Sequence, residues 1–199
     1  MVFDYGQVIS FPQDPKVIDE LAKQVGVERE KFEPLLWSLR GEYDRGIISA
    51  REYYRNILSR LSVAMDDKNV DELIKIDHVS WRNINPQTVV LMEDVKKAGY
   101  TLGILSNMPH DFLFWARKNI PVFSLPHVSL FSCEANLIKP EKAIYIKLLS
   151  LLGFEGKEVV FFDDNVENIK SAKALDMEAF LWKNPESARC ELSSLGVRL

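Results

Sequence analysis

Four polar segments, far apart in the chain, carry residue types that together suit phosphoryl transfer. A carboxylate can attack phosphorus and form a covalent aspartyl-phosphate, which water then hydrolyses. Because the nucleophile and a phosphate ester are both anionic, such a site also needs positive charge, which a lysine and a metal ion can supply. Two carboxylates plus phosphate oxygens are typical ligands of Mg²⁺. The segments contain Asp4, Ser106 with Asn107, Lys139, and Asp163 with Asp164.

The elements around these residues predict that they meet. Asp4 ends the apolar segment "MVFD", Ser106 and Asn107 end "YTLGILSN", and Asp163 follows "EVVFF". Such strand-like runs alternate with helical patterns, which predicts an α/β fold with a doubly wound parallel sheet. Ligands of these sheets bind outside the carboxyl ends of the strands, so we expect one site at that edge. Further strands are predicted at "VSLFS" and "EAFLW", and helices at 86–99, 111–118, 140–152, 166–175 and 185–196.

Residues 14–83 show only helical spacing of apolar side chains, as in Val17, Leu21 and Val25. Ser49 followed by Glu52 predicts a capping box at the start of one helix. We therefore predict a helical domain over 14–83, inserted after the first strand of an α/β core domain that comprises residues 1–13 and 84–199.

Composition narrows the classes of partner. The chain has 199 residues, 47% of them apolar, which suffices for a real core, and its net charge of −4 gives no sign of a nucleic-acid or membrane partner. We expect a small-molecule partner. Cys133 and Cys190 predict free thiols in a reducing compartment, and no leader or long apolar run is seen, so the cytoplasm is expected.

Four segments also resemble a known family. "FDYGQVI", "ILSN", "LIKPEKAIY" and "FFDDNVENIKSAKALDM" are similar, in order and spacing, to the four motifs of the haloacid dehalogenase superfamily. The resemblance implies a Rossmann-like core, and residues 14–83 resemble the small helical-bundle cap of one of its branches. It also implies residue roles: Asp4 as nucleophile, Ser106 as phosphate-binding hydroxyl, Lys139 as charge-neutralising lysine, and Asp164 as a metal ligand with Asp163 beside it.

The expected Mg²⁺ site consists of Asp4, Asp164 and Asp163, with a backbone carbonyl in the turn at Gly6 as a further ligand. Ser106 and Asn107 are expected to hold the phosphate of a small phosphorylated metabolite. On the cap, Arg45 is a predicted substrate-binding residue, because it lies on a charged turn with Glu42 and Asp44.

Position 6 departs from the usual pattern. Phosphatases of the superfamily have a second aspartate two residues after the nucleophile, as general acid and base, whereas this chain has Gly6. A glycine there resembles a subgroup that includes α-D-glucose-1-phosphate phosphatases. General acid–base catalysis contributes about 10²–10⁴-fold, so its loss favours substrates with activated leaving groups, such as sugar 1-phosphates.

Two other functions remain open at this stage. A metal-independent 2-haloacid dehalogenase would use the same aspartate to attack carbon, although the Asp163-Asp164 pair would repel an anionic haloacid. A non-catalytic pseudo-phosphatase would bind Mg²⁺ and a phosphorylated ligand, although a pure binding protein needs no nucleophile. The four cap aromatics at helical spacing are interpreted as core residues: Trp37, Tyr43, Tyr53 and Tyr54.

Overall fold

The computed structural model describes residues 1–199 and contains one sheet of five parallel strands. The strand order is β3-β2-β1-β4-β5, so the predicted doubly wound α/β fold is confirmed. The order reverses at β1, which lies between β2 and β4 and therefore marks the switch point of the sheet. The strands are β1 (Val2–Phe3), β2 (Gly103–Ser106), β3 (Val128–Phe131), β4 (Val160–Asp163) and β5 (Glu178–Leu181).

After β1, residues 15–80 form five α-helices with their own core. Fourteen buried residues, among them Leu21, Phe32 and Tyr53, form this cluster. The capping box of Ser49 and Glu52 is present at the start of the fourth helix, as predicted. The separate cluster supports the division into a core domain and a cap over 14–83, which we keep as a proposal. The helices are α1 (Pro15–Val25), α2 (Arg29–Ser38), α3 (Arg40–Asp44), α4 (Ala50–Arg60) and α5 (Asp67–Ser80).

Helices cover both faces of the sheet. Neighbouring residues of a strand belong to different buried clusters, as Val2 and Phe3 do, because alternate side chains point to opposite faces. None of the helices combines the length and the apolar composition needed to cross a membrane. The flanking helices are α6 (Pro86–Lys97), α7 (His110–Asn119), α8 (Ser132–Ala135), α9 (Lys142–Leu152), α10 (Val166–Lys173) and α11 (Pro185–Ser194).

Several predicted helix boundaries differ from the structure by two residues, since α6, α10 and α11 end at Lys97, Lys173 and Ser194 rather than at 99, 175 and 196. Helix α9 begins at Lys142 rather than at Pro140, because Glu141 is still extended, with φ −62° and ψ 132°, and precedes the first helical residue. The loop that ends there carries Lys139 to the carboxyl edge of the sheet.

Candidate active site

Asp4 lies directly after β1, at the switch point, and is only 7% exposed. Its Oδ1 accepts a hydrogen bond from the Tyr5 backbone N–H at 2.7 Å and lies 2.9 Å from Lys139 Nζ. Oδ2 has no hydrogen-bond partner. The chain then turns sharply, since Gly6 is extended and Gln7 has a left-handed φ of 58°. Asp4 therefore presents one oriented carboxylate oxygen at the edge of the sheet.

Lys139 joins two carboxylates in the interior of the protein. Its Nζ lies 2.9 Å from Asp4 Oδ1 and 2.6 Å from Asp163 Oδ2, and it donates to the Leu105 carbonyl at 3.1 Å. These three acceptors match the three protons of an ammonium group. Burial lowers the pKa of Lys139, but the charges of Asp163 and Asp4 outweigh burial and raise it above the usual value. Lys139 is therefore a permanent, buried positive charge.

Asp163 is fully buried, and its oxygens are already occupied. Besides Lys139, it accepts hydrogen bonds from the Asn165 backbone N–H at 2.8 Å and from Asn168 Nδ2 at 2.9 and 3.0 Å. Asn168, on α10, thus donates a hydrogen bond to Asp163, whereas an acidic side chain at position 168 would repel the Asp163 carboxylate. Asp163 therefore holds Lys139 in place, which Asp164 does not do.

Three carboxylates come together here. One oxygen each of Asp4, Asp163 and Asp164 lies within 4.8 Å of the others. Burial raises the pKa of Asp4 to about 7, Lys139 acts against this, and Asp163 and Asp164 add to it. Asp164 is less enclosed, and its Oδ2 accepts a hydrogen bond from Gln7 Nε2 at 2.5 Å. Clustered carboxylates of which two retain free oxygens fit a hard divalent cation such as Mg²⁺, which would lower their mutual repulsion.

Ser106 and Asn107 follow β2 beside Asp4. Ser106 is buried, and its hydroxyl makes only a long 3.4 Å contact to the Asn107 carbonyl, so it can still bind a ligand. Asn107 forms a reciprocal clamp with Lys139: its Nδ2 donates to the Lys139 carbonyl at 3.0 Å, and its Oδ1 accepts from the Lys139 backbone N–H at 2.9 Å. Asn107 therefore fixes the loop that carries the lysine.

A cavity of about 370 Å³ lies between these residues and the helical segment. One side, here called the core wall, is formed by Asp4, Gly6, Ser106 and Asn107, together with the buried Lys139 and Asp163 behind Asp4. The helical segment contributes the cap wall, which is formed by Trp37, Arg40, Gly41 and Asp44. Trp81 and Phe112 are among the side chains between the two walls.

The cap wall contains a network of charges. Arg40 Nε donates to Asp44 Oδ1 at 2.9 Å, and Arg40 Nη1 donates to Asp77 Oδ2 at 3.0 Å. Asp77 is 1% exposed and also accepts a hydrogen bond from Trp81 Nε1 at 3.1 Å. The sequence reasoning missed Arg40, Asp77 and Trp81; only the i,i+4 spacing of Arg40 and Asp44 could have indicated that the first of them is paired.

The family model for the haloacid dehalogenase-like hydrolases matches residues 9–176. The chain belongs to this family. It is 27% identical over 142 residues to a phosphatase of Mycobacterium tuberculosis (strain CDC 1551 / Oshkosh). The matched residues make up 68% of this chain but only 64% of that protein.

Solved structures of the haloacid dehalogenase family have the same fold. A family enzyme from Bacteroides thetaiotaomicron, in complex with magnesium and inorganic phosphate, matches with a TM-score of 0.74 and 23% identity, covering 92% of each chain. An L-2-haloacid dehalogenase matches with a TM-score of 0.70 and 18% identity, covering 90% of this chain and 84% of the other. At these identities the likeness concerns the fold alone.

Within this family member, Arg45 does not reach the cavity. Its guanidinium forms two hydrogen bonds to Glu141, at 2.9 and 2.5 Å, and a third to the Asn136 carbonyl at 3.3 Å. Arg45 therefore bridges the cap to the core outside the cavity, and its substrate-binding role stays a prediction. Glu42 also lies outside the cavity, whereas Asp44 lines it.

The position of Trp37 also differs from the sequence prediction. It was expected in the cap core, but it is 42% exposed and lines the cavity. Helical spacing alone does not distinguish a side chain that faces the helical bundle from one at its rim. The other three cap aromatics are buried, as expected: Tyr43, Tyr53 and Tyr54.

The cap contacts the core next to this wall. Ser132, which is fully buried, donates its hydroxyl proton to the Asp44 carbonyl, and its Oγ accepts from the Met108 backbone N–H at 2.8 Å. Tyr43 donates to Asp111 of α7 at 2.9 Å. At Gly46, whose φ is 79°, an added Cβ would lie 2.9 Å from the Cys133 carbonyl. These contacts hold the cap wall at a fixed distance from the core wall.

Proposed function

We propose that this hydrolase is a Mg²⁺-dependent phosphatase that hydrolyses a small phosphate monoester through an aspartyl-phosphate on Asp4. The observation that carries the proposal is the buried charge cluster of the core wall. Lys139 bridges Asp4 and Asp163, and the free oxygen of Asp4 faces a cavity next to a third carboxylate. Such a cluster can accept an anionic ester only because its own negative charge is offset.

Asp4 and Asp164 are the proposed protein ligands of Mg²⁺, together with the backbone carbonyl at Gly6. Bound Mg²⁺ would neutralise charge on the phosphate and on the nucleophile, and would help to orient them. Asp163 was expected as a further ligand; the hydrogen bonds on its oxygens favour the part of an outer carboxylate that orients Lys139.

The remaining core-wall residues bind and orient the phosphate. We assign the Ser106 hydroxyl and the neighbouring backbone N–H groups to its equatorial oxygens, where charge increases in the transition state. Lys139, which is buried next to Asp4, stabilises the negative charge of the phosphate in the transition state as well. Asn107 keeps Lys139 in register through the two hydrogen bonds between them.

For the substrate, the cavity of about 370 Å³ favours a small leaving group. Gly6 offers no side chain that could protonate this group, which favours leaving groups that depart easily. A sugar 1-phosphate meets both conditions, and its hydroxyls would find hydrogen-bonding partners in Arg40 and Asp44 of the cap wall.

The test is phosphate release from a panel of sugar phosphates, nucleotides, glycerol phosphate and p-nitrophenyl phosphate, with Mg²⁺ or with EDTA. We expect turnover with Mg²⁺, loss of turnover in EDTA, and a loss of about 10³-fold or more in Asp4→Asn. Glu42→Gln, a change on the outer face of the cap, is the matched control and should retain wild-type rates.

Two results would contradict the proposal. Halide release from a 2-haloacid in the presence of EDTA would favour the dehalogenase alternative. A folded protein that binds Mg²⁺ and inorganic phosphate but hydrolyses no ester would favour the pseudo-phosphatase.

A further inference from the structure

The leaving oxygen of a phosphate ester needs a proton, and the core wall has no side chain to donate one. Residue 6 is glycine, and a Cβ placed there would meet only the Trp81 ring, 3.7 Å away. Lys139 already uses its three protons for Asp4, Asp163 and a backbone carbonyl. The proton must therefore come from another side of the cavity.

Only three of the 14 residues that line the cavity are charged: Asp4, Arg40 and Asp44. Asp4 is the proposed nucleophile. A guanidinium does not lose its proton in proteins, so Arg40 cannot act as an acid and base. Asp44 is the remaining group that can both donate and accept a proton.

We propose that Asp44, on the cap wall, is the acid–base residue of this active site. The inference rests on the phosphatase function proposed above and adds a catalytic residue to it. It assigns to the cap a part in the chemistry itself, in addition to substrate selection.

The position of Asp44 suits this part. It is the last residue of α3, and its side chain is 13% exposed. Arg40 holds Oδ1, whereas Oδ2 has no hydrogen-bond partner and remains free for a ligand. The backbone of Asp44 is joined through Ser132 to Met108, two residues beyond the Ser106 hydroxyl. The backbone of Asp44 is thus tied to the segment after β2, which also carries Ser106.

The charges around Asp44 support proton transfer in both directions. Burial raises the pKa of Asp44, Arg40 acts against burial, and Asp77 and Asp111 raise the pKa further. The net shift is upward, which keeps more of the acid form at neutral pH than an exposed aspartate would have. After the proton has left, Arg40 stabilises the carboxylate.

The reaction has two steps, the formation of the aspartyl-phosphate and its hydrolysis. In the first, an oxygen of Asp4 bonds to phosphorus, the bond from phosphorus to the leaving oxygen breaks, and that oxygen takes the proton of Asp44 to become an alcohol. In the second, the Asp44 carboxylate takes a proton from water, the water oxygen bonds to phosphorus, and the bond to Asp4 breaks. Phosphate leaves, and Asp4 and Asp44 return to their starting forms.

The experiment compares two leaving groups in wild type and Asp44→Asn. p-Nitrophenolate leaves as a stable anion, whereas the best sugar or glycerol phosphate of the panel needs a proton on its leaving oxygen. In Asp44→Asn we expect kcat/KM on the alkyl phosphate, which reports the first step, to fall about 10²-fold or more, and kcat/KM on p-nitrophenyl phosphate to change less than about threefold. Because the second step is common to both esters, kcat should fall on both. Asp44→Glu, which keeps an acid, should recover part of the alkyl rate.

The pH profile adds a readout that a structural role would not change. For wild type, kcat/KM on the alkyl substrate should decline at high pH as Asp44 loses its proton, and this limb should be absent in Asp44→Asn and for the aryl substrate. Asp77→Asn is the matched control, because Asp77 also binds Arg40 but does not line the cavity. Because Asp77 raises the pKa of Asp44, Asp77→Asn should move the high-pH limb of the alkyl substrate to lower pH but keep it, whereas Asp44→Asn should remove it.

The aryl and alkyl assays together distinguish the role of Asp44 from the proposed phosphatase function. Aryl turnover that depends on Mg²⁺ and Asp4, combined with an equal loss of kcat/KM on both substrates in Asp44→Asn, or no loss, overturns the role of Asp44 and leaves the phosphatase standing. Wild type that hydrolyses the aryl ester but no alkyl ester also overturns the role of Asp44. If wild type hydrolyses neither ester, the proposed function fails, and the inference fails with it.

Discussion

The two walls of the cavity are built in different ways. On the core wall, Asp4 and Ser106 stand at the carboxyl ends of adjacent strands, so the topology of the sheet brings them together. On the cap wall, Arg40 and Asp44 both come from α3, a helix of only five residues. Its distance from the core depends on a few contacts across the cavity mouth. The core wall is therefore fixed by the fold, and the cap wall by docking.

The ion pairs of the two walls should also differ in how much they contribute to the stability of the protein. The charges of the core wall depend on each other, because Lys139 is the common partner of two buried carboxylates. On the cap side, Arg45 and Glu141 form a pair that is 24% and 44% exposed. Exposed pairs contribute little to stability, whereas removal of one partner from a buried pair is costly. Three substitutions test this contrast, in order of decreasing effect.

Lys139→Met should have the largest effect. It leaves Asp4 and Asp163 without their cation, so we expect the free energy of unfolding to fall by about 3–5 kcal/mol and turnover to be lost. Lys142→Met, three residues further on and exposed, is the control. Urea unfolding in EDTA measures both variants.

This loss should also depend on pH. The pKa of Asp4 is already raised to about 7, and it rises further without Lys139, which lowers it in wild type. A raised folded-state pKa means that native Asp4 binds its proton more tightly than unfolded Asp4, so the variant loses stability as pH rises from about 4 through that pKa. The deficit against wild type should therefore be larger at pH 8 than at pH 5. A deficit independent of pH would mean that Lys139 acts through packing rather than charge.

The core wall was predictable because its signals are local. Asp4, Ser106 and Asp163 each follow a short apolar strand, and the parallel arrangement of those strands was apparent from their alternation with helices. The fold class, the capping box at Ser49 and most element positions were predicted for the same reason. The helix start at Pro140 was wrong because a proline permits a helix start but does not require one.

The cap wall could be predicted only in part, because its side-chain directions are set by tertiary contacts. Asp44 and Arg45 are neighbours in sequence, yet one lines the cavity and the other faces Glu141 outside. Trp37 was assigned to the cap core on helical spacing, which it shares with the buried Tyr53. Trp81 comes to the cavity from α5's C-terminal end, and no local pattern marks it.

Gly46→Ala should have the next largest effect and separates docking from backbone strain. Its φ of 79° disfavours any side chain, and its Cβ would also lie 2.9 Å from the Cys133 carbonyl of the core. Gly26 has a φ of 78° with no atom within 4 Å of its Cβ, so Gly26→Ala carries the same strain without the clash. Strain of this kind costs about 1–2 kcal/mol.

We expect the two alanine variants to differ in activity. Gly26→Ala should lower stability and retain kcat/KM, whereas Gly46→Ala should push α3 away from the core and lower kcat/KM about tenfold or more, because catalytic groups tolerate little displacement. Thermal unfolding and steady-state kinetics measure both effects. Equal kinetics in the two variants would show that the cap wall keeps its place without the close contact at Gly46.

Arg45→Gln should have the smallest effect, and it decides between the sequence prediction and the observed position. A substrate-binding arginine would raise KM more than about tenfold when removed, since its hydrogen bonds to a charged ligand are strong. An outer bridge to Glu141 should change kcat and KM less than about twofold and the stability by less than about 1 kcal/mol. Glu141→Gln should then give the same small change, and the double variant should add nothing to it. A large rise of KM confined to Arg45→Gln would mean that the cap moves when substrate binds and brings Arg45 into the cavity, so that docking, rather than the fold, sets the cap wall during catalysis as well.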